Sequence, residues 1–160
     1  MEEELSINDR KKELINIALR YLCLREYSEN ELRLKIKTKQ QFTEEEFQQA
    51  FSELKEKNYL NEDRYLRQKA NILKIKGFST HYILQYLNKE NIQTTKKEIE
   101  NLGFKTDQEI IESLILKKYS TEELIELPIK KMNNLIRNIC TKGHSYSEVK
   151  SIIKSLQNSL

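Results

Sequence analysis

A chain of 160 residues with 33% charged and 38% apolar side chains has less apolar material than a typical globular domain. That disfavours one large spherical core and suits small cores shared between stacked helices. Three glycines and one proline are too few turn formers for a β fold, so the expected class is all-α, while a net charge of +3 decides little until its distribution is known.

Residues 1–8 read as a frayed tail, and a first helix is expected from about Asp9 to Arg25. Ile15, Leu19 and Leu22 follow the i, i+4, i+7 spacing that places three side chains on one face. Ser28 to Glu31 has the form of a capping box, in which the serine oxygen accepts a backbone N–H and the glutamate reaches back to the serine's own N–H. It opens a second helix to about Lys39, with Leu32 and Ile36 on the apolar stripe. Thr43 and Glu46 form another box, and Phe42 and Phe47 have the spacing of a hydrophobic staple. Phe47, Ala50, Phe51 and Leu54 give that third helix its buried stripe as far as Asn58. Asn61 then caps a helix running to about Lys76, with Gly77 suited to the position just past its end. Ser79 to Lys89 forms the next, and Thr95 with Glu98 caps a short one closed by Gly103. Further helices are expected at Asp107–Lys118, at Thr121–Glu126, after Pro128 as first helical residue, and from Ser145 to about Gln157.

Three of these stretches are copies of one pattern. The serines at Ser28, Ser79 and Ser145 each follow an aromatic or histidine, as Tyr27, Phe78 and His144. Before each turn comes an apolar trio: Ile15, Leu19, Leu22, then Leu66, Ala70, Leu73, then Met132, Ile136, Ile139. After each comes an apolar pair: Leu32 and Ile36, Ile83 and Leu87, Val149 and Ile153. Copies in register are an internal repeat, which points to tandem three-helix units in an elongated, curved array. The expected division is a tail (1–8), then units at 9–58, 59–103 and 104–160. Ser145 follows Ser79 by 66 residues, whereas Ser79 follows Ser28 by 51, so the extra residues fall between Thr106 and Pro128.

Charge alternates in blocks. Arg33 to Lys39 holds four basic residues and no acids; Glu44 to Asp63 holds seven acids against two lysines. Arg64 to Lys76 has five basic residues and no acids, and Lys130 to Lys154 has six against Glu148 alone. Arg64, Arg67, Asn71 and Lys74 share a polar helix face. Arg33 with Lys37, and Lys35 with Lys39, are like-charge i, i+4 pairs that repel unless an anion answers them. Arg25, Lys76 and Lys142 each close a helix, where a cation also suits the C-terminal dipole.

The ordered set A-x2-YL-x2-R-x-YS-x2-EL (Ala18 to Leu32), YLNEDRY (Tyr59 to Tyr65), KGFS (Lys76 to Ser79) and KGHSYSEVKSII (Lys142 to Ile153) resembles the RecX family of bacterial recombinase regulators. The likeness runs from about Asp9 to Leu156, with residues 119–127 and His144 departing from the pattern. It implies tandem three-helix repeats that bind the filament RecA forms on single-stranded DNA and restrain its ATPase, strand exchange and coprotease activities. The basic face expected to meet RecA or DNA, read from the charge blocks, comprises Arg20, Arg25, Arg33, Lys35, Lys37, Lys39, Arg64, Arg67, Asn71, Lys74, Lys76 and Lys142. A monomer is expected. The competing reading is a helix-turn-helix protein acting directly on duplex DNA.

Catalysis finds little support, since no glycine-rich phosphate loop exists and no serine or cysteine has an identifiable histidine base. No cofactor or metal is expected: Cys23 and Cys140 read as reduced, partly buried apolar residues, and His81 and His144 as exposed or capping. Tyr27, Phe78, Tyr59 and Tyr65 are expected to pack in cores. No run of 18 apolar residues exists to span a membrane. The acidic start MEEELSINDRKKE is unlike a secretion signal, so a cytoplasmic protein is expected.

Overall fold

The computed structural model describes residues 2–159, with side chains described from Ser6 onward. It is all-helical: among the described residues there are ten helices and no strand. In order they are α1 (Glu2–Leu22), α2 (Glu29–Lys37), α3 (Glu44–Glu56), α4 (Glu62–Ile75), α5 (Thr80–Lys89), α6 (Lys96–Glu100), α7 (Asp107–Leu116), α8 (Thr121–Ile125), α9 (Ile129–Cys140) and α10 (Tyr146–Gln157). Their contacts group into two compact units, Met1–Gln68 with Glu90–Ile92, and Lys69–Lys89 with Gln93–Leu160.

In the first unit, α1 starts at Glu2 rather than near Asp9 and stops at Leu22. The stretch expected to fray contains no helix breaker. The buried face also differs from expectation. Leu14 and Ala18 are fully buried, while Ile15, Leu19 and Leu22 are half-buried and pack against the same cluster. Leu14, Ile17, Ala18 and Tyr21 form an equally regular stripe one residue over, and the small Ala18 lets α3 come close. All four apolar residues read for α3 are buried, as is the α2 pair Leu32 and Ile36.

Thr43 and Glu46 form a reciprocal capping box, and the Phe42 and Phe47 rings meet edge-on at 5.9 Å. The box expected at Ser28 is only half made. Its oxygen accepts the Glu31 N–H at 3.0 Å, but the Glu31 carboxylate turns away to Arg25, at 2.6 Å. The Ser28 hydroxyl instead donates to Glu90 at 2.7 Å, tying α2 to the segment after α5. Ser28→Ala should therefore lower stability by about 1–2 kcal/mol, the upper range for a lost cap, read as a lower melting temperature. Asn58, at φ 60°, ends α3 in the left-handed region. Tyr65 is buried as expected, but Tyr59 is 52% exposed, because Leu60 next to it takes the core position.

In the second unit the α4 helix closes with Gly77 at φ +89°, with the Gly77 N–H on the Lys74 carbonyl and the Phe78 N–H on that of Leu73. Glycine suits this ending because the left-handed conformation carries no Cβ penalty. Ser79 caps α5 by accepting the Tyr82 N–H at 3.1 Å, and Ile83 and Leu87 are buried behind it. α6, α7 and α8 each start on a reciprocal box, at Thr95, Thr106 and Ser120. Pro128 is the N-cap of α9, one position before the expected first turn, within the usual spread of helix boundaries. Ser145 caps α10, but Glu148 accepts the serine hydroxyl at 3.0 Å instead of completing a box.

The core of this unit gathers Ile111, Ile115, Leu124, Leu135, Ile136, Ile139, Val149 and Ile153. Segment 119–127, unplaced by the repeat pattern, supplies Leu124 with no exposed surface. The pair after each serine is thus buried in all three copies, whereas the trio before it is buried only at its second and third members in the second and third copies.

Two of the serine turns hydrogen-bond to each other. The Ser79 N–H donates to the Lys142 carbonyl at 2.9 Å, and the Lys142 ammonium to the Lys76 carbonyl at 2.8 Å. His144 is buried and sets its Nε2 2.8 Å from the Gly77 carbonyl. This histidine therefore joins two turns from a buried position, instead of the exposed or capping role expected of it.

Candidate functional site

Cations offered to a partner must be free of internal carboxylates, and ion pairing removes several candidates. In the first unit, Arg33 contacts Glu29 and Glu44 and lies over the Phe47 and Phe51 rings, and Lys37 shares Glu44. The repulsion between Arg33 and Lys37 is answered inside the fold by Glu44, so it carries no argument for an external anion. Arg25 pairs with Glu31 and stacks 3.6 Å from the Tyr27 ring. Lys39 lies over Tyr21.

Arg64 is also committed. Its guanidinium bonds Glu26 at 2.8 Å and the carbonyls of Asn58 and Tyr59, closing the turn that leads into α4. Among the expected residues of this unit, that leaves Arg20, Lys35, Lys39 and Arg67 exposed, with no carboxylate partner among the described residues. Cys23 is exposed, unlike the partly buried residue expected.

Lys74, in the second unit, was expected on a binding face beside Asn71, and that expectation fails. It is 7% exposed, and its ammonium donates to Asp107 at 2.7 Å and to the Thr80 hydroxyl at 2.6 Å. Asp107 also accepts the Thr80 N–H at 2.9 Å. Burial raises the Asp107 pKa, but the Lys74 and Thr80 hydrogen bonds outweigh it and hold the carboxyl below its ordinary value. Helical periodicity could not show this, because the carboxylate that draws Lys74 inward lies 33 residues away. Lys142 is likewise spent on the Lys76 carbonyl and the Phe78 ring. Asn71 and Lys76 remain exposed.

No family model and no curated protein matches this chain. The site must therefore be read from its chemistry.

Beside Asn71 lies a cavity of about 390 Å³ walled by Ile75, Gly77, Phe104, Ile110 and Leu114. Its apolar walls and the buried Lys74 ion pair offer no nucleophile with an adjacent base. Among the described residues no three His, Cys, Asp or Glu side chains gather as a metal site would need, and no helix is long and apolar enough to cross a membrane.

A further basic surface of this unit lies outside the face expected from the sequence. Lys130, Lys131 and Arg137 on α9, and Lys150 and Lys154 on α10, are all exposed without a carboxylate partner among the described residues. The signal was the acid-poor block from Lys130 to Lys154. It was outweighed because the repeat pattern drew the site toward the turns, where cations are used internally.

Proposed function

We propose that this chain is a non-enzymatic regulator that binds a RecA filament on single-stranded DNA and restrains its ATPase, strand exchange and coprotease activities. It would act as a monomer in the cytoplasm. In this reading the serine-capped helix pairs are tandem three-helix units whose curved row would follow the filament's groove. The motif set from Ala18 to Ile153 supplies RecA as partner. The supporting observation is that exposed cations with no carboxylate partner among the described residues include Arg20, Lys35, Lys39 and Arg67 in one unit, and Lys76, Lys130, Lys131 and Arg137 in the other. Exposed, unpaired cations with few nearby acids favour an anionic partner surface.

The test is RecA's DNA-dependent ATPase with added protein at substoichiometric to equimolar amounts. Inhibition is expected, with weak DNA binding by the protein alone; an ATPase and strand exchange left untouched would sink the reading. Arg67→Glu with Lys76→Glu should weaken inhibition about tenfold while leaving helicity intact, since both side chains are exposed and reversed charges oppose an acidic surface. Arg64→Glu is a poorer probe, because it sets a second acid beside Glu26 and breaks the turn before α4.

A second reading, a helix-turn-helix protein acting on duplex DNA, draws on the exposed Asn133, Asn134 and Arg137 of α9. Asn and Arg are side chains that read base edges. That reading requires tight, steeply salt-dependent duplex binding without RecA.

A further inference from the structure

Between α9 and α10 runs an open groove of about 750 Å³. Its floor is apolar, made by Met132, Ile136 and Ile153. Along one wall stand Tyr146, Lys150 and Lys154, which with Gln157 recur at the i, i+4, i+8, i+11 spacing of a single helix face. No acid lines the groove. Glu148, the one carboxylate on α10, is held at the Ser145 hydroxyl. Each bounding helix has 12 residues, about 18 Å or three helical turns.

We propose that this groove is a docking site for an acidic amphipathic helix of a partner protein. The occupant would lay an apolar stripe on Met132 and its neighbours and place carboxylates against Lys150 and Lys154. Charge complementarity selects the occupant: a floor that rewards apolar side chains is bounded only by cations and neutral groups, so glutamates flanking the stripe are favoured and lysines rejected. Nucleic acid fits less well. Strand-binding grooves stack successive bases on several aromatics, and here Tyr146 stands alone, 57% exposed, with the Lys150 ammonium 5.4 Å from its ring. The proposal does not depend on the partner being RecA.

The probe is a fluorescein-labelled 18-residue designed helix with Leu at i, i+4, i+7 and i+11 and Glu flanking that stripe, titrated with the full chain and read by anisotropy. Three controls accompany it: the same peptide with Lys for Glu, the same with Gln for Leu, and a single-stranded oligonucleotide. Saturable binding of the first peptide is expected, with at least tenfold weaker binding of both altered peptides. Lys150→Glu with Lys154→Glu should weaken it at least tenfold, and Met132→Gln several-fold, with circular dichroism unchanged in both. Arg67→Glu with Lys76→Glu should leave it as in the parent, which separates this site from the filament-regulation reading. Absence of binding would overturn the proposal, as would equal binding of the Gln-for-Leu peptide. So would an oligonucleotide that binds tighter than the peptide and loses its affinity in the Lys150 and Lys154 variant. A self-association abolished by Met132→Gln would also overturn it, by making a second copy the occupant.

Discussion

Gly143→Ala should be among the most damaging single-atom-group additions to this protein, lowering stability by about 3 kcal/mol. Two costs combine. Gly143 sits at φ +89°, where an L-residue loses about 1–2 kcal/mol. The added methyl would also lie 2.6 Å from the Ser79 hydroxyl oxygen and 2.8 Å from the Tyr82 Cβ. The Tyr82 Cβ cannot swing aside without moving α5, and overpacking of that kind costs about 1–3 kcal/mol. A fall of roughly 6–12 °C in melting temperature follows for a chain of this size. Gly103→Ala is the control, because Gly103 has φ +77° but its added methyl would meet nothing within 4 Å. It should show only the backbone cost. If the two substitutions melted alike, the packing of the Lys142 turn on the Ser79 turn would be refuted.

The second large effect is expected at the buried ion pair. Asp107→Ala strands the Lys74 ammonium, 6% exposed at its side chain, with only the Thr80 hydroxyl for company. Removing one partner of a buried pair typically costs about 3–5 kcal/mol. Replacing both, as Lys74→Met with Asp107→Leu, should cost less than Asp107→Ala alone, because no charge is then left buried. Acid should act in the same direction as the single substitution. The Asp107 carboxyl is held below its unfolded value of 3.8, so its contribution is complete above about pH 4 and is lost as pH falls through the lowered folded value. Chemical denaturation across pH 2–5 should show a steeper loss of stability for the parent than for Asp107→Asn. A Lys74→Met variant that melted like the parent would show that the pair with Asp107 does not hold these elements together.

Much of the helical order was legible beforehand because its signals are local. Every helix begin from α2 onward is marked by Ser, Thr, Asn or Pro, and Gly77, Asn58 and Gly103 mark ends by their left-handed backbone. The pairs Leu32 with Ile36, Ile83 with Leu87 and Val149 with Ile153 were legible because two apolar residues four apart on a short helix leave little choice of face. On the long α1 the same logic had two solutions, and the stripe through Leu14 and Ala18 won by close approach to α3. The site was far less legible. Whether Arg33, Arg64 or Lys74 is offered to a partner depends on Glu44, Glu26 and Asp107, between 11 and 38 positions away. Periodicity carries no information at that range. Glu31 misled for a related reason: its spacing from Ser28 fits a capping box, but Arg25 competes for the carboxylate with a full charge.

The link between the Gly77 and Gly143 turns bears on how the protein is made. It joins groups 66 and 67 positions apart, so during translation the backbone groups of the earlier turn have no mate until Lys142 and His144 leave the ribosome. By then every helix from α1 to α9 has been synthesised. The first unit holds its own core and is completed by Glu90 on Ser28 much sooner, so a ribosome stalled between Ile92 and Lys142 should carry the first unit finished and the second still waiting.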